Sequence, residues 1–470
     1  MELLLGRGDV DPNSLDSNSR PPLSYAAAQG HGEIVKLFLK RGDVNPDSSD
    51  SSGRTPLSYA AISGSEGVVK LFLDREDVNP DSSDNSGRTP LSYAVTSEDE
   101  GVVRVFLEHK NISPDLPDTE GRTPLSYAVS RGCEGVVELL LGHGDVNPNS
   151  LDRVGRPLLS YAITGGHGGV VRLLVESPNI DPNSPDRDGL TPLSYAAQWG
   201  REDLVQQYLG RWGVNPDLSD SDGRTPLSFA ASGAHEAVVR VLLGHSDTNP
   251  NPSDGNGLTP LSYAAISGAP GLVKLLLESR GVNPNSPDSS GRTPLSFAAS
   301  RGHEGIVEML LGHSDTNPNP SDGNGLTPLS YAAITGAPGV VKLLLDSPGV
   351  NPNSPDRRGR TPLSFAAFRG HEDVVKALLG RNDVNPNSSD RNGQTPLSYA
   401  TMMKREGVVK LLSEAGNSNS ESLKTPVQLY LALLVILSVL GARLGFPFLL
   451  FILFLSHLFF SSIFRIHRGP

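Results

Sequence analysis

One motif returns along the chain at a constant spacing of 34 residues. It reads GRTPLSYA at residues 53–60, and twelve successive units carry a version of it, with leucine in place of its proline at position 158. The prolines stand at 22, 56, 90, 124, 192, 226, 260, 294, 328, 362 and 396. Two short helices bury too little apolar surface to fold alone, so this period predicts repeated units that stack on one another.

Each unit predicts two helices followed by a long polar loop. In residues 53–86, Thr55 is placed to cap a first helix that begins at Pro56. The segment EGVVKLFL then predicts a second helix through its apolar pattern. The next segment, DVNPDSSDNSG, carries Asn-Pro and Asp-x-x-Gly turn signals. The unit is therefore helix–turn–helix–loop.

This unit resembles the ankyrin repeat, whose T-P-L-H-x-A signature is present here as TPLSYA or TPLSFA. Tetratricopeptide units have a similar length but are almost entirely helical. The resemblance covers residues 1 to about 413, and its style is that of the long ankyrin arrays of filamentous fungi. It implies an all-α repeat solenoid with extended, hairpin-like loops. Serine replaces the signature histidine in all twelve units, so the hydrogen bonds that this histidine makes between repeats in the family are not implied here.

The repeat pattern predicts three regions at and before residue 426. Residues 1–19 align with the second helix and loop of a partial N-terminal repeat, and residues 20–413 form the ankyrin array. Residues 414–426 are a polar linker. Two explanations of the incomplete first repeat stay open, namely a tolerated half-repeat and a chain truncated upstream.

Residues 427–464 are strongly hydrophobic and predict a membrane segment, single or double. Arg443 divides them, and the part from Leu444 to Phe464 would be about 31 Å long as a helix, enough to cross a bilayer core of about 30 Å. A single span and a helical hairpin are both compatible with the flanking arginines. A third interpretation is a translated intron. The favoured prediction is a cytoplasmic array attached to an intracellular membrane by this tail.

Composition argues against several classes of function. A formal net charge of −12 disfavours nucleic-acid binding, which needs clustered Lys and Arg. The single cysteine, Cys133, excludes an internal disulfide and a cysteine-based zinc site. Phosphate-binding GxxxxGK[ST] and zinc-binding HExxH motifs are absent. We therefore expect no enzyme activity, cofactor or metal.

Two recurring residue types are predicted to serve turns rather than metals. Five histidines share one position at the start of the second helix, but the closest pair is two repeats apart, about 20 Å at ordinary helix spacing. They are His31, His167, His235, His303 and His371. The aspartates of the loops lack the ligand order of a calcium-binding EF-hand, which favours turn formation.

The class of function that remains is recognition of a protein partner. The ankyrin resemblance implies docking on the loop tips and in the concave groove formed by the first helices, and residues that vary between repeats are candidates for specificity. The candidates are Arg131, Gln198, Trp199, Tyr208, Trp212, Arg301, Arg357, Arg358, Phe368 and Arg369. The predicted function is a non-catalytic interaction scaffold for an unidentified protein partner.

Two alternatives stay open at this point. The chain could be the C-terminal sensor fragment of a larger fungal NTPase-type receptor, or a passive spacer of about 110 Å. Variable exposed side chains also drift neutrally, so variation alone does not separate a binding surface from a spacer.

Overall fold

The computed structural model describes residues 11–211 and 213–415. These residues form pairs of short helices joined by loops, and they contain no β-strand, only an isolated bridge between Leu151 and Pro157. The predicted all-α repeat is therefore confirmed over this range. No helix within it is long and apolar enough to cross a membrane. The predicted hydrophobic tail, with Leu444 and Phe464, lies outside the described residues.

The first helices of the twelve repeats begin at the predicted position. They are Pro22–Ala28, Pro56–Ile62, Pro90–Thr96, Pro124–Arg131, Leu158–Gly165, Pro192–Gln198, Pro226–Ser232, Pro260–Ser267, Pro294–Arg301, Pro328–Thr335, Pro362–Arg369 and Pro396–Met402. The second helices are Gly32–Leu39, Glu66–Leu73, Glu100–Leu107, Glu134–Leu141, Gly168–Glu176, Glu202–Leu209, Glu236–Gly244, Pro270–Glu278, Glu304–Gly312, Pro338–Asp346 and Glu372–Leu379. A last helical stretch, 406–415, reaches the end of the described residues.

The recurring motif starts most first helices through a threonine cap within the same repeat, the exceptions being the helices that begin at Pro22 and Leu158. Thr55 has extended backbone angles, and its side-chain oxygen accepts a hydrogen bond from the backbone N–H of Ser58 at 3.3 Å. Pro56 occupies the first turn, where its missing N–H costs nothing. The Ser58 hydroxyl is buried and lies 3.2 Å from the Thr55 hydroxyl. Where threonine precedes the helix, the serine that replaces the signature histidine therefore bonds inside its own repeat. Ser24 and Ser160 follow a proline cap instead, and their buried hydroxyls have no hydrogen-bond partner among the described residues.

The core lies between the two helices of a repeat and continues into the next repeat. In the second repeat Leu57, Ala61, Val69 and Phe72 are completely buried. First helices contact the first helices of adjacent repeats, and second helices contact second helices. Burial of one large apolar side chain contributes about 1.5–3 kcal/mol, so each repeat obtains much of its stability from its neighbours.

The packing divides into two compact units. The N-terminal unit holds residues up to 298 together with 308–316, and the C-terminal unit holds 299–307 together with residues from 317 onwards. Within each unit, contacts between consecutive helix pairs follow the same pattern.

An aspartate at one repeat position organises each loop, and nine of these twelve aspartates are buried. The Asp118 carboxylate accepts backbone hydrogen bonds from Glu120 and Arg122 at 2.9 and 2.8 Å, and the Tyr127 hydroxyl donates to it at 2.6 Å. Burial opposes its charge, but these bonds and the Arg122 guanidinium outweigh burial and lower the pKa of Asp118. The predicted turn role is confirmed. The equivalent aspartates that accept the same two backbone bonds are Asp16, Asp50, Asp84, Asp152, Asp186, Asp220, Asp254, Asp288, Asp322, Asp356 and Asp390.

The two residues after each of these aspartates form what we call a loop tip, and adjacent loop tips touch through their backbones. The N–H of Asn85 donates to the carbonyl of Ser52 in the preceding loop at 2.9 Å. Gly53 makes this approach possible, because its φ is +84° and an added Cβ would lie 2.7 Å from the Asn85 nitrogen. Bonds of this kind hold most loops in register with the next one.

A second line of hydrogen bonds links the loops through one side-chain position. Asn149 donates from Nδ2 to the carbonyl of Asn179 at 2.6 Å and accepts from the N–H of Asp181 at 3.2 Å. Where this position holds aspartate, the donor is missing. Asp47 accepts one backbone bond, from Asn79 at 2.9 Å, but its other oxygen is buried without a partner, as is one oxygen of Asp115. Burial raises the pKa of both carboxyl groups.

Asp115→Asn is expected to stabilise the chain by about 1 kcal/mol at neutral pH, because the new amide can donate to the carbonyl of Asp145, the position equivalent to the carbonyl partner of Asn149. Urea unfolding of the full chain measures the change. The reverse replacement, Asn149→Asp, is the matched control and is expected to destabilise the chain by a similar amount.

The pH dependence of this difference has a defined sign. A raised pKa means that folded Asp115 binds a proton more tightly than unfolded Asp115. As the pH falls through the folded pKa, the wild-type chain becomes more stable at this position and the advantage of Asp115→Asn shrinks. An advantage that grows on acidification would contradict the assignment.

Candidate partner-binding surface

Most of the predicted contact residues lie at the C-terminal ends of the first helices or at loop tips. Seven are exposed, namely Arg131, Gln198, Trp199, Arg301, Arg357, Arg358 and Arg369. Phe368 is half-buried and Tyr208 is buried. Trp212 lies outside the described residues.

Four of these residues share one position in their repeats, directly at or after the end of the first helix. They are Arg131, Trp199, Arg301 and Arg369. The first two belong to the N-terminal unit and the last two to the C-terminal unit. Gln198 and Phe368 occupy the position just before. The structure therefore places a variable set of side chains along one edge of the first helices in each unit.

Trp199 is the most prominent apolar side chain of this edge. It ends the helix Pro192–Gln198, and 60% of its surface is exposed. Gly165 and Gly233 occupy the same position in the two adjacent repeats, so neither neighbour presents a side chain from this position. A solvent-exposed tryptophan is costly to leave in water, and it is a residue type enriched among those that dominate protein interfaces. We call Arg131, Gln198 and Trp199 the Trp199 surface.

The histidines at the starts of the second helices do more than form turns. His235 Nε2 lies 3.0 Å from the carbonyl oxygen of Gln198 in the preceding repeat. Gly233 gives the ring room, since a Cβ there would be 2.5 Å from the imidazole. His167 and His371 reach carbonyls of the preceding repeat at 3.0 and 3.1 Å. The sequence pattern did not predict these links between repeats, although the glycine two residues before His167 and His235 is a usable signal.

The prediction that Tyr208 contacts a partner is wrong. Its side chain is completely buried, and its hydroxyl donates to the carbonyl of Pro182. Burial raises the pKa of this phenol. Tyr208 holds the second-helix position that Phe72 fills in the second repeat, and Phe72 is also fully buried. The repeat position decides burial here, so Tyr208 is a core residue that needs one polar partner.

The loop tips directly before the first helices of repeats 11 and 12 carry three exposed arginines. These are Arg357 and Arg358 on one tip and Arg391 on the next, and the Arg391 N–H donates to the Arg358 carbonyl at 2.9 Å. None of the three guanidinium groups pairs with a carboxylate among the described residues. By contrast, Arg153, on a loop tip of the N-terminal unit, lies 3.8 Å from Glu120. We call Arg357, Arg358 and Arg391 the basic tip cluster.

Apolar groups lie at the ends of the two first helices that follow these loop tips. The Phe368 ring meets the Tyr399 ring edge-on, with centroids 5.9 Å apart and an interplanar angle of 84°. Met402 holds the position equivalent to Phe368 one repeat later and is 59% exposed. Tyr399 in turn donates to Asp390 at 2.6 Å, at the base of the loop that carries Arg391. This chain of contacts connects the apolar helix ends to the basic tip cluster.

The described residues offer little for metal or nucleophilic chemistry. Within 11–211 and 213–415, no group of three or more His, Cys, Asp or Glu side chains is placed to hold a metal ion. Cys133 is half-buried, and burial, reinforced by the charge of Glu98, raises the pKa of its thiol. A raised pKa lowers the fraction of the reactive thiolate.

Comparison with protein families matches this chain to the model described as ankyrin repeats (3 copies). The matched segments overlap and run from residue 1 to residue 422, as 1–84, 69–152, 143–210, 200–288, 271–356 and 347–422. They include the residues of the Trp199 surface and of the basic tip cluster. A comparison with curated proteins gives no match.

Proposed function

The chain belongs to the ankyrin repeat family, and we propose that it is a non-catalytic scaffold that binds a protein partner on the ends of its first helices and on its loop tips. Ankyrin repeats as a class support protein–protein interaction. The positions that vary between repeats and remain exposed give this chain its own specificity.

The exposure of Trp199 carries the proposal. Trp199 is 60% exposed, and glycines hold the equivalent positions in both adjacent repeats, so most of its surface is not used in packing between repeats. The backbone beneath it is held by the bond from His235 to the Gln198 carbonyl. Because these residues are already ordered in the free protein, binding of a partner costs little conformational entropy. The Trp199 surface is therefore a pre-formed anchor for an apolar pocket or groove of a partner.

The hydrophobic residues 427–464 support a second part of the proposal, a tether that holds the array at an intracellular membrane. The full chain is then expected in the membrane fraction after alkaline carbonate extraction. A chain that ends at residue 426 is expected in the supernatant. Equal release of both chains would remove the tether from the proposal.

Trp199→Ala is expected to lower recovery of at least one bound protein about tenfold or more, because truncation of an anchoring tryptophan typically costs 2 kcal/mol or more. The measurement is quantitative affinity capture from cell extract with the full chain as bait. Leu116→Ala is the matched control, since Leu116 is an exposed apolar residue on a loop away from the helix ends. Unchanged recovery of every partner by the Trp199→Ala chain would favour the passive spacer instead.

A further inference from the structure

We propose that the basic tip cluster, together with the apolar helix ends linked to it through Tyr399, binds an extended acidic peptide segment of a partner protein. The inference rests on the proposed function, and it specifies the chemistry of the partner at one surface of the C-terminal unit. The charge, the spacing and the apolar surroundings of the cluster each support it.

The cluster carries positive charge that the protein leaves uncompensated. Asp356 lies beneath the first tip, but it is buried and committed to Arg360, at 2.7 Å. Asp390 lies beneath the second tip and is also buried; the hydrogen bond from Tyr399, followed by the backbone bonds, lowers its pKa, so it stays ionised. The three exposed arginines of the cluster therefore outnumber the one charge that remains beneath them.

The other loop tips do not carry uncompensated positive charge. In the N-terminal unit Arg153 is accompanied by Glu120, Arg187 is followed directly by Asp188 in the same tip, and other tips carry serine or asparagine. The whole chain has a formal charge of −12. An acidic partner is therefore repelled by most of the surface and attracted to the basic tip cluster, which fixes where and how it docks.

The spacing of the two loop tips matches an extended peptide that carries regularly placed carboxylates. Adjacent repeats lie about 10 Å apart at ordinary helix spacing, and an extended peptide rises about 3.3 Å per residue. Acidic residues three apart in a peptide thus match the separation of equivalent residues on consecutive tips, such as Arg357 and Arg391. Guanidinium groups pair with carboxylates through two parallel hydrogen bonds. Phe368 and Met402, at the ends of the following first helices, offer an apolar contact to a further side chain of the same peptide.

The test uses the full chain and a fluorescein-labelled peptide of twelve residues, with Asp at every third position, one central Leu, and Gly and Ser elsewhere. Fluorescence anisotropy is expected to show binding that weakens as salt is raised. The triple variant Arg357→Glu, Arg358→Glu, Arg391→Glu is expected to bind about tenfold or more weakly. The variant with Gln at the same three positions introduces no repulsion and is expected to lose about threefold or more in affinity. It replaces the Glu variant in the test if that variant is thermally destabilised.

The matched control is the pair Arg153→Glu and Arg187→Glu, which reverses loop-tip arginines of the N-terminal unit and is expected to change affinity less than twofold. Failure of the wild-type chain to bind the peptide, wild-type affinity in both triple variants, or equal binding of the peptide with Asn in place of Asp would each overturn the inference. Equally tight binding of a single-stranded oligonucleotide or of a peptide with one phosphoserine would also overturn it. The affinity capture with Trp199→Ala tests the N-terminal unit. If that experiment gives the expected loss but the peptide does not bind, only the present inference is rejected and the proposed function stands.

Discussion

The apolar core shared between consecutive helix pairs is the interaction on which the rest of the structure depends. Helices of seven to nine residues are marginal by themselves, and each becomes stable by burying one face against its own partner and against the next repeat. The completely buried Leu, Ala, Val and Phe positions recur with the period of the sequence. Every binding surface described above is carried on this core and has no independent framework.

Polar contacts fix the register between consecutive repeats. The loop-tip backbone bonds, the asparagine bonds between loops and the histidine bonds to helix-end carbonyls each join one repeat to the next at a fixed offset. Apolar packing alone tolerates small shifts, but directional bonds do not. The ends of the first helices and the loop tips are therefore held in place. Side chains that project from them, such as Trp199 and Arg391, are exposed and available to a partner.

The sequence predicts the fold well because its signals are local and repeated twelve times. Thr55 and Pro56 mark the start of a first helix, and EGVVKLFL coincides with Glu66–Leu73. Contacts between repeats are harder to predict, because the bond of His235 depends on a carbonyl 37 residues away. Tyr208 shows a different failure, since aromatic character suggested a contact while its repeat position made it a core residue.

Hydrogen exchange on the full chain carrying Leu125→Ala tests the central claim most directly. Leu125 is completely buried in the first helix of repeat 4, and its truncation costs about 2–5 kcal/mol. If neighbouring repeats share one core, protection falls in repeats 3, 4 and 5 and recovers with distance along the array. Loss of protection confined to repeat 4 would show that each helix pair is stable by itself and would contradict the account.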